Sequence, residues 1–307
     1  MSKKRKALIV VAVLAVLAVP AYFWLFSQSS VPDSGGYTID LAKVRALADS
    51  LPGEKPRELR YEEIAMMTVP STGIVAGSGW SEATMTFFAF QLLHGDRSSM
   101  IDTGMDKKTA EATTAKNFDD AAFARVSKAM AVADPIVFTH EHYDHLGGAV
   151  TSPDLKAMLP RLKVTKEQLS TPKKLEPLVF PQDALAGYAP LDYETLHAVA
   201  PGVVLIKAAG HTPGSQLVYV KRADGAELLF LGDVAWLHRN VKEVRTRARI
   251  VTLLMGEDRD AVLLQLKELN RLAAAEPALQ LVPGHDKPRI VELVAGGFLK
   301  AGFEVGP

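Results

Sequence analysis

Apolar positions fall into three textures along this chain. Residues 7–26 hold no charge at all, and twenty helical residues reach about 30 Å, the thickness of a bilayer's hydrocarbon core. Helical spacing at Leu41, Val44, Leu47 and Leu51 predicts a short amphipathic helix over 38–51, stopped by Pro52-Gly53. From Tyr61 onward the texture changes to short apolar or alternating runs at 64–69, 85–93, 100–101, 135–138, 203–206, 216–220, 227–231 and 279–282. These predict strands, with His94-Gly95-Asp96 and Asp224-Gly225 as hairpin turns. Helical patterns stand between them: an alanine-rich one at 119–133, one at 258–275 with Val262, Leu266, Leu269 and Ala273 on one stripe, and a last one near 288–299. Strands interleaved with helices indicate an α/β fold. The proline-broken stretch 152–193 is the irregular part, either a pocket wall or lid or a surface excursion.

The leading segment divides the chain further. Lys3, Lys4, Arg5 and Lys6 precede the uncharged run, and Tyr22 and Trp24 lie near its end, where interfacial aromatics belong. The positive-inside rule keeps the basic end in the cytoplasm and puts the rest of the chain outside, in the periplasm or extracellular space. An uncleaved signal anchor is the favoured reading, since the apolar run continues past Val19-Pro20-Ala21. Cleavage there would instead give a secreted protein. The expected organisation is thus an anchor at 1–26, a linker with a short helix at 27–60, and a catalytic domain at 61–307.

Composition narrows the chemistry. The 307 residues include no cysteine, which excludes disulfides, thiolate metal sites and cysteine nucleophiles. Any metal must be held by nitrogen and oxygen. Without the leading cluster, 31 basic residues face 35 acidic ones, so the body is mildly acidic and gives no support for nucleic acid as a partner.

The chemistry concentrates in Thr139-His140-Glu141-His142-Tyr143-Asp144-His145-Leu146-Gly147-Gly148. In an extended segment alternate side chains share a face, so His140 and His142 reach one point while Glu141 points away. Asp144 and His145 can reach a neighbouring point, and the two glycines are expected to break the pattern and turn the chain. Three further polar residues, His211, Asp233 and His285, each end a short apolar strand beside a glycine. Together these seven side chains offer enough nitrogen and oxygen donors for two metal ions. Asp102 ends a strand just ahead of the motif, as a carboxylate near the site or as a plain turn residue. His94, His197 and His238 belong to no motif, with His238 the nearest outside candidate because it follows Asp233 closely.

His140-x-His142-x-Asp144-His145, Gly210-His211-Thr212, Gly232-Asp233 and Gly284-His285 resemble the metal-binding set of the metallo-β-lactamase superfamily, over residues 61–299. The resemblance implies a four-layer αββα sandwich. It also implies two zinc ions, one held by His140, His142 and His211 and one by Asp144, His145 and His285, with Asp233 bridging. Such ions acidify a water and polarise a carbonyl or phosphoryl group, and Asp144 is the expected general acid/base. Within that superfamily a bridging aspartate favours the broader branch of lactonases, thioester hydrolases of the glyoxalase II type and phosphodiesterases, and the expected substrate is an ester, lactone or thioester. His211-Thr212-Pro213-Gly214 and His285-Asp286 are similar to acyl-homoserine lactonases. Those enzymes often place a tyrosine three residues past the aspartate. Here that position is Trp236, whose indole donates one hydrogen bond but cannot act as a phenol. It either walls the pocket or packs in the core. The alternatives on the same fold are a mononuclear iron enzyme resembling the persulfide dioxygenases, and a phosphodiesterase or β-lactamase-like hydrolase.

Overall fold

The computed structural model describes residues 2–27, 30–181 and 183–304. Its body is two stacked sheets. The first contains β1 (Glu58–Pro70), β2 (Glu82–His94), β3 (Arg97–Ile101), β4 (Ile136–Val137) and β5 (Leu162–Lys163) in that order, and the closing strand Lys300–Ala301 pairs with the free edge of β1. The second contains β6 (Leu196–Ala200), β7 (Val203–Lys207), β8 (Gln216–Lys221), β9 (Glu227–Gly232) and β10 (Gln280–Pro283), also in sequence order. The hairpins at Gly95 and Gly225 form as the turn residues predict, joining β2 to β3 and β8 to β9 antiparallel. The pairings of β3 with β4 and of β9 with β10 are parallel.

Three apolar layers hold the sandwich, and strand alternation explains how one strand serves two of them. Phe88 and Phe90 of β2 face the second sheet, where Phe90 meets Phe230 edge-on at 4.8 Å. Phe87, one residue out of phase, faces the other way, into a layer with Ile64, Val126 and Leu146 under the helices Asp120–Val132 and Tyr143–Val150. On the far side of the second sheet, Val204, Ile206 and Leu217 meet Val44 and the stripe Val262, Leu266 and Leu269 of the helix Arg259–Ala275. Full burial of a ring such as Phe90 contributes about 1.5–3 kcal/mol.

Several expectations need correction. The helix near the start runs only over Leu41–Ala48, because Asp40 caps it and the preceding residue is engaged elsewhere: Ile39 N–H donates to Glu268. Its apolar stripe is spent on the second sheet, and Arg45 reaches Glu227 and Glu276. Residues 37–48 therefore pack on the body, and β1 already begins at Glu58 rather than at Ile64. Gly147 and Gly148 do not turn the chain. They lie inside the helix Tyr143–Val150, where a Cβ on Gly148 would sit 2.3 Å from the Thr103 carbonyl oxygen. Their role is close approach of a helix to the end of β3. The last helix covers Lys287–Ala295 and stops at Gly296. The helices His238–Glu243 and Arg249–Met255 and the strand β6 carry no periodicity long enough to predict.

The leading helix spans Lys3–Phe26 and is long and apolar enough to cross a membrane by length and composition. Its final turn is seated on the body. Phe26 O accepts from Thr72 Oγ1 and from Gly77 N–H, Trp80 Nε1 donates to Tyr22 at 2.9 Å, and the Arg249 guanidinium lies 4.7 Å from the centre of the Trp24 ring.

Candidate metal centre

The strand ends converge at one edge of the sandwich. β4 leads into His140 and His142, β9 delivers Asp233, β10 delivers His285, and the turn between β7 and β8 carries His211. Asp144 and His145 come from the first turn of the helix Tyr143–Val150, not from an extended strand exit. All seven side chains meet there, in two groups.

In the first group His142 Nδ1 lies 3.0 Å from His140 Nε2 and 3.1 Å from His211 Nε2. Asp233 Oδ2 completes it, 3.3 Å from His211 Nε2 and 3.7 Å from His140 Nε2. In the second, His145 Nε2 lies 3.3 Å from both Asp144 Oδ2 and Asp233 Oδ1, and His285 Nε2 lies 2.9 Å from Asp233 Oδ1. Four donors around one zinc at about 2.0–2.1 Å stand about 3.3 Å apart, so both groups have the right spacing for a cation at their centre. A second observation points the same way. His145 Nε2, His285 Nε2 and Asp233 Oδ1 are buried and have no hydrogen-bond partner, a costly arrangement unless a cation satisfies them. The donor set, nitrogen and oxygen only, suits zinc or iron.

Three of the imidazoles are oriented from behind. Asp102 accepts from His145 Nδ1 at 2.8 Å and from the backbone and hydroxyl of Thr139, so the strand-end carboxylate orients a site histidine. His285 Nδ1 donates to Thr86 O at 3.0 Å. His211 Nδ1 donates to Glu257 at 2.8 Å, and Glu257 in turn is held by Arg247 at 2.6 Å. Sequence reasoning missed Glu257. It stands 46 residues from its partner, beside an acid that caps a helix, and nothing local separates the two acids. Glu141 points away from the metal donors as expected, but it is not idle. Buried, it accepts from Thr171, Thr212 and Gly214 N–H and ties the motif to the His211 turn.

Trp236 is both wall and support. Its indole donates to Asp233 Oδ2 at 2.6 Å, and the Arg247 guanidinium stacks on its ring at 4.1 Å. Gly284 leaves room for the carboxylate: a Cβ there would lie 2.7 Å from Asp233 Oδ1. His238 is not brought to the cleft. It starts a short helix, where its backbone N–H donates to Asp286. His94 lies elsewhere, held between Glu54 O and Ser99 Oγ, and His197 stacks beside Tyr193.

Charge states fit the donor role. Burial holds His140 well below the ordinary histidine range and lowers His142 to about 3, so both are neutral, as ligands must be. Asp233 is buried too, but His285 and His145 hold its carboxyl well below the usual range. His145 is the exception. Burial opposes its charge, yet Asp144, Asp102 and Asp233 raise it well above the ordinary value. Three carboxylates around one imidazole call for a positive charge, which a metal ion supplies in place of the proton.

The centre opens into a cleft of about 410 Å³. Its floor is His142, Asp144, Asp233 and His285, and Met67, Val69, Met85, Leu254 and Met255 supply the apolar part of its walls. Lys173, Lys174 and Glu176 form part of the rim, so the proline-rich stretch contributes to the pocket wall.

Two stacked sheets with a histidine–carboxylate centre at their edge define a metal-dependent hydrolase. The family model for the metallo-beta-lactamase superfamily matches residues 84–285, and the chain belongs to that superfamily. Solved structures share the fold at low identity. An N-acyl homoserine lactone hydrolase, with the product N-hexanoyl-L-homoserine bound at its catalytic metal centre, gives a TM-score of 0.59 at 16% identity, covering 78% of this chain and 96% of that one. AidC, a dizinc quorum-quenching lactonase, gives 0.54 at 16%, covering 78% and 92%. A probable metal-dependent hydrolase from Staphylococcus aureus gives 0.58 at 12%, covering 77% and 91%. No curated protein sequence matches.

Proposed function

We propose that this chain is a dizinc hydrolase of an ester, lactone or thioester. The observation that carries the reading is the division of Asp233, whose Oδ2 belongs to the His140–His142–His211 group and whose Oδ1 belongs to the Asp144–His145–His285 group. One carboxylate shared between two donor sets is what a pair of cations requires, and a single iron would leave the buried nitrogens of His145 and His285 unsatisfied. Bound zinc would supply an acidified water and a polarised carbonyl.

The chain's own residues do the rest. Asp144 lies at the cleft floor, ionised, with an oxygen 3.3 Å from His145 Nε2; it takes up the proton of the attacking water and returns it to the leaving oxygen or sulfur. The acyl C–O or C–S bond breaks, the acyl carbon gains the water's hydroxyl, and the leaving group gains its hydrogen. Trp236 keeps Asp233 in place, and the apolar walls seat the acyl part of the substrate and exclude water. The AidC and homoserine-lactone hydrolase structures make lactones the first class to try.

The leading helix anchors the enzyme in the membrane, with the body outside the cytoplasm. Metal analysis joined to a substrate panel tests the reading. About two zinc per chain, with turnover of a lactone, thioester or simple ester that chelator abolishes, supports it. One iron per chain with oxygen uptake sinks it in favour of the oxygenase alternative, and turnover of phosphodiesters or β-lactams alone moves the enzyme to another branch.

A further inference from the structure

We propose that the helix Arg249–Met255 lies on the bilayer surface into which the leading helix runs, so that the cleft opens onto lipid and takes an acyl-chain substrate from it. The inference rests on the hydrolase reading for its chemistry and on the leading helix as a membrane span.

Three observations meet on this helix. First, its start is where the span ends. Arg249 stacks on Trp24, and Trp80 beside it packs on Phe26 at 5.2 Å and on Tyr22, so the interfacial end of the span is fixed to this face of the body. Second, the helix turns apolar side chains outward. Leu253 is 59% exposed and Leu254 80%, and Trp80, which packs on Phe26 of the span, is 55% exposed. An apolar face beside a span's aromatic end fits the headgroup–acyl boundary, where a surface helix buries such residues. Third, its far end is a wall of the cleft: Leu254 and Met255 line it, and Lys174 closes the corner by donating to Met255 O. Seven residues at 1.5 Å each put that wall about 10 Å from the span. An acyl chain leaving the bilayer here would meet Leu254 and Met255 first and then the apolar lining of Met67, Val69 and Met85 beside the metal donors.

The absence of cysteine makes the test clean, because Leu253→Cys creates a unique thiol. The full chain is placed in phosphatidylcholine vesicles with an environment-sensitive label at Leu253→Cys, and separately at Val132→Cys, an exposed position on another face. Brominated phosphatidylcholine should quench the Leu253 label and leave the Val132 label unchanged. On the same vesicles, p-nitrophenyl dodecanoate should show a KM at least tenfold below that of p-nitrophenyl acetate. Leu253→Glu should remove most of that difference while kcat/KM for the acetate stays within twofold. A Leu253 label as aqueous as the Val132 label overturns the inference, as does a KM independent of chain length. If neither ester is hydrolysed while the Leu253 label is quenched, the hydrolase reading and the substrate part of this inference fall together and the membrane contact alone survives. If both esters are hydrolysed with an aqueous label, only this inference falls.

Discussion

Two clefts of similar size open at opposite ends of β3. One, about 410 Å³, lies past its C-terminal end and holds the metal donors. The other, about 350 Å³, lies at its start and is lined by His94, Arg97, Asp134 and Lys163. Both have a histidine, a carboxylate and cations. The second is inert by the criterion that marks the first. His94 has a partner on each ring nitrogen, Glu54 O at 3.0 Å and Ser99 Oγ at 2.8 Å, so its imidazole has no nitrogen left for a metal. At the first, buried nitrogens of His145 and His285 face inward with no partner. Volume does not distinguish a site from a crevice; converging, unsatisfied donors do.

Substitutions should separate the clefts sharply, the largest effect coming from the shared carboxylate. Asp233→Asn should lower kcat/KM by about a thousandfold or more and reduce zinc below one per chain, because one change withdraws charge from both groups. Retention of two zinc ions, read by mass spectrometry of the metal, would refute the bridging role. Asp144→Asn should follow, with kcat down by about 10²–10⁴-fold and metal in the His140 group retained. Next come the orienting carboxylates. Asp102→Asn and Glu257→Gln should each weaken metal binding by about 10–100-fold, the first at the His145 side and the second at the His211 side. Competition with a chromophoric chelator would read this, and equal losses at both positions would contradict the separation.

The other cleft should answer only in stability. His94→Gln should leave kcat within twofold and cost about 1–3 kcal/mol from the lost buried hydrogen bonds. Burial holds the folded-state His94 below its ordinary value, so the unfolded chain takes up the proton first and stability falls as pH drops through about 6.5. The variant lacks that loss. Its destabilisation, measured by denaturant midpoint, should therefore be larger at pH 7.5 than at pH 5.

The sequence carried the donors because they are local. His140, His142, Asp144 and His145 lie within six residues, and His211, Asp233 and His285 each sit beside a glycine at the end of an apolar run. The hairpins at Gly95 and Gly225 were legible for the same reason. What was hidden is what depends on distance. Glu257 reaches His211 only because the turn after the helix Arg249–Met255 meets the turn between β7 and β8, where Asp258 N–H donates to Gly210 O, and no local pattern announces that. The helix Leu41–Ala48 looked like an appendage because its partner surface, the second sheet, is formed by residues more than 150 positions later. Gly147-Gly148 reads as a turn from sequence alone because glycine serves both tight turns and close packing, and only the neighbouring Thr103 carbonyl tells which.

The three loops around the centre are stitched to one another by Glu141, which accepts from Thr171, Thr212 and Gly214 with its two oxygens. The His140–His142–His211 side of the cage is therefore held together by protein contacts of its own. Loading zinc into stripped protein should resemble filling a rigid chelator: little change in heat capacity, no coupled folding, and full reversibility through repeated cycles of depletion and refilling.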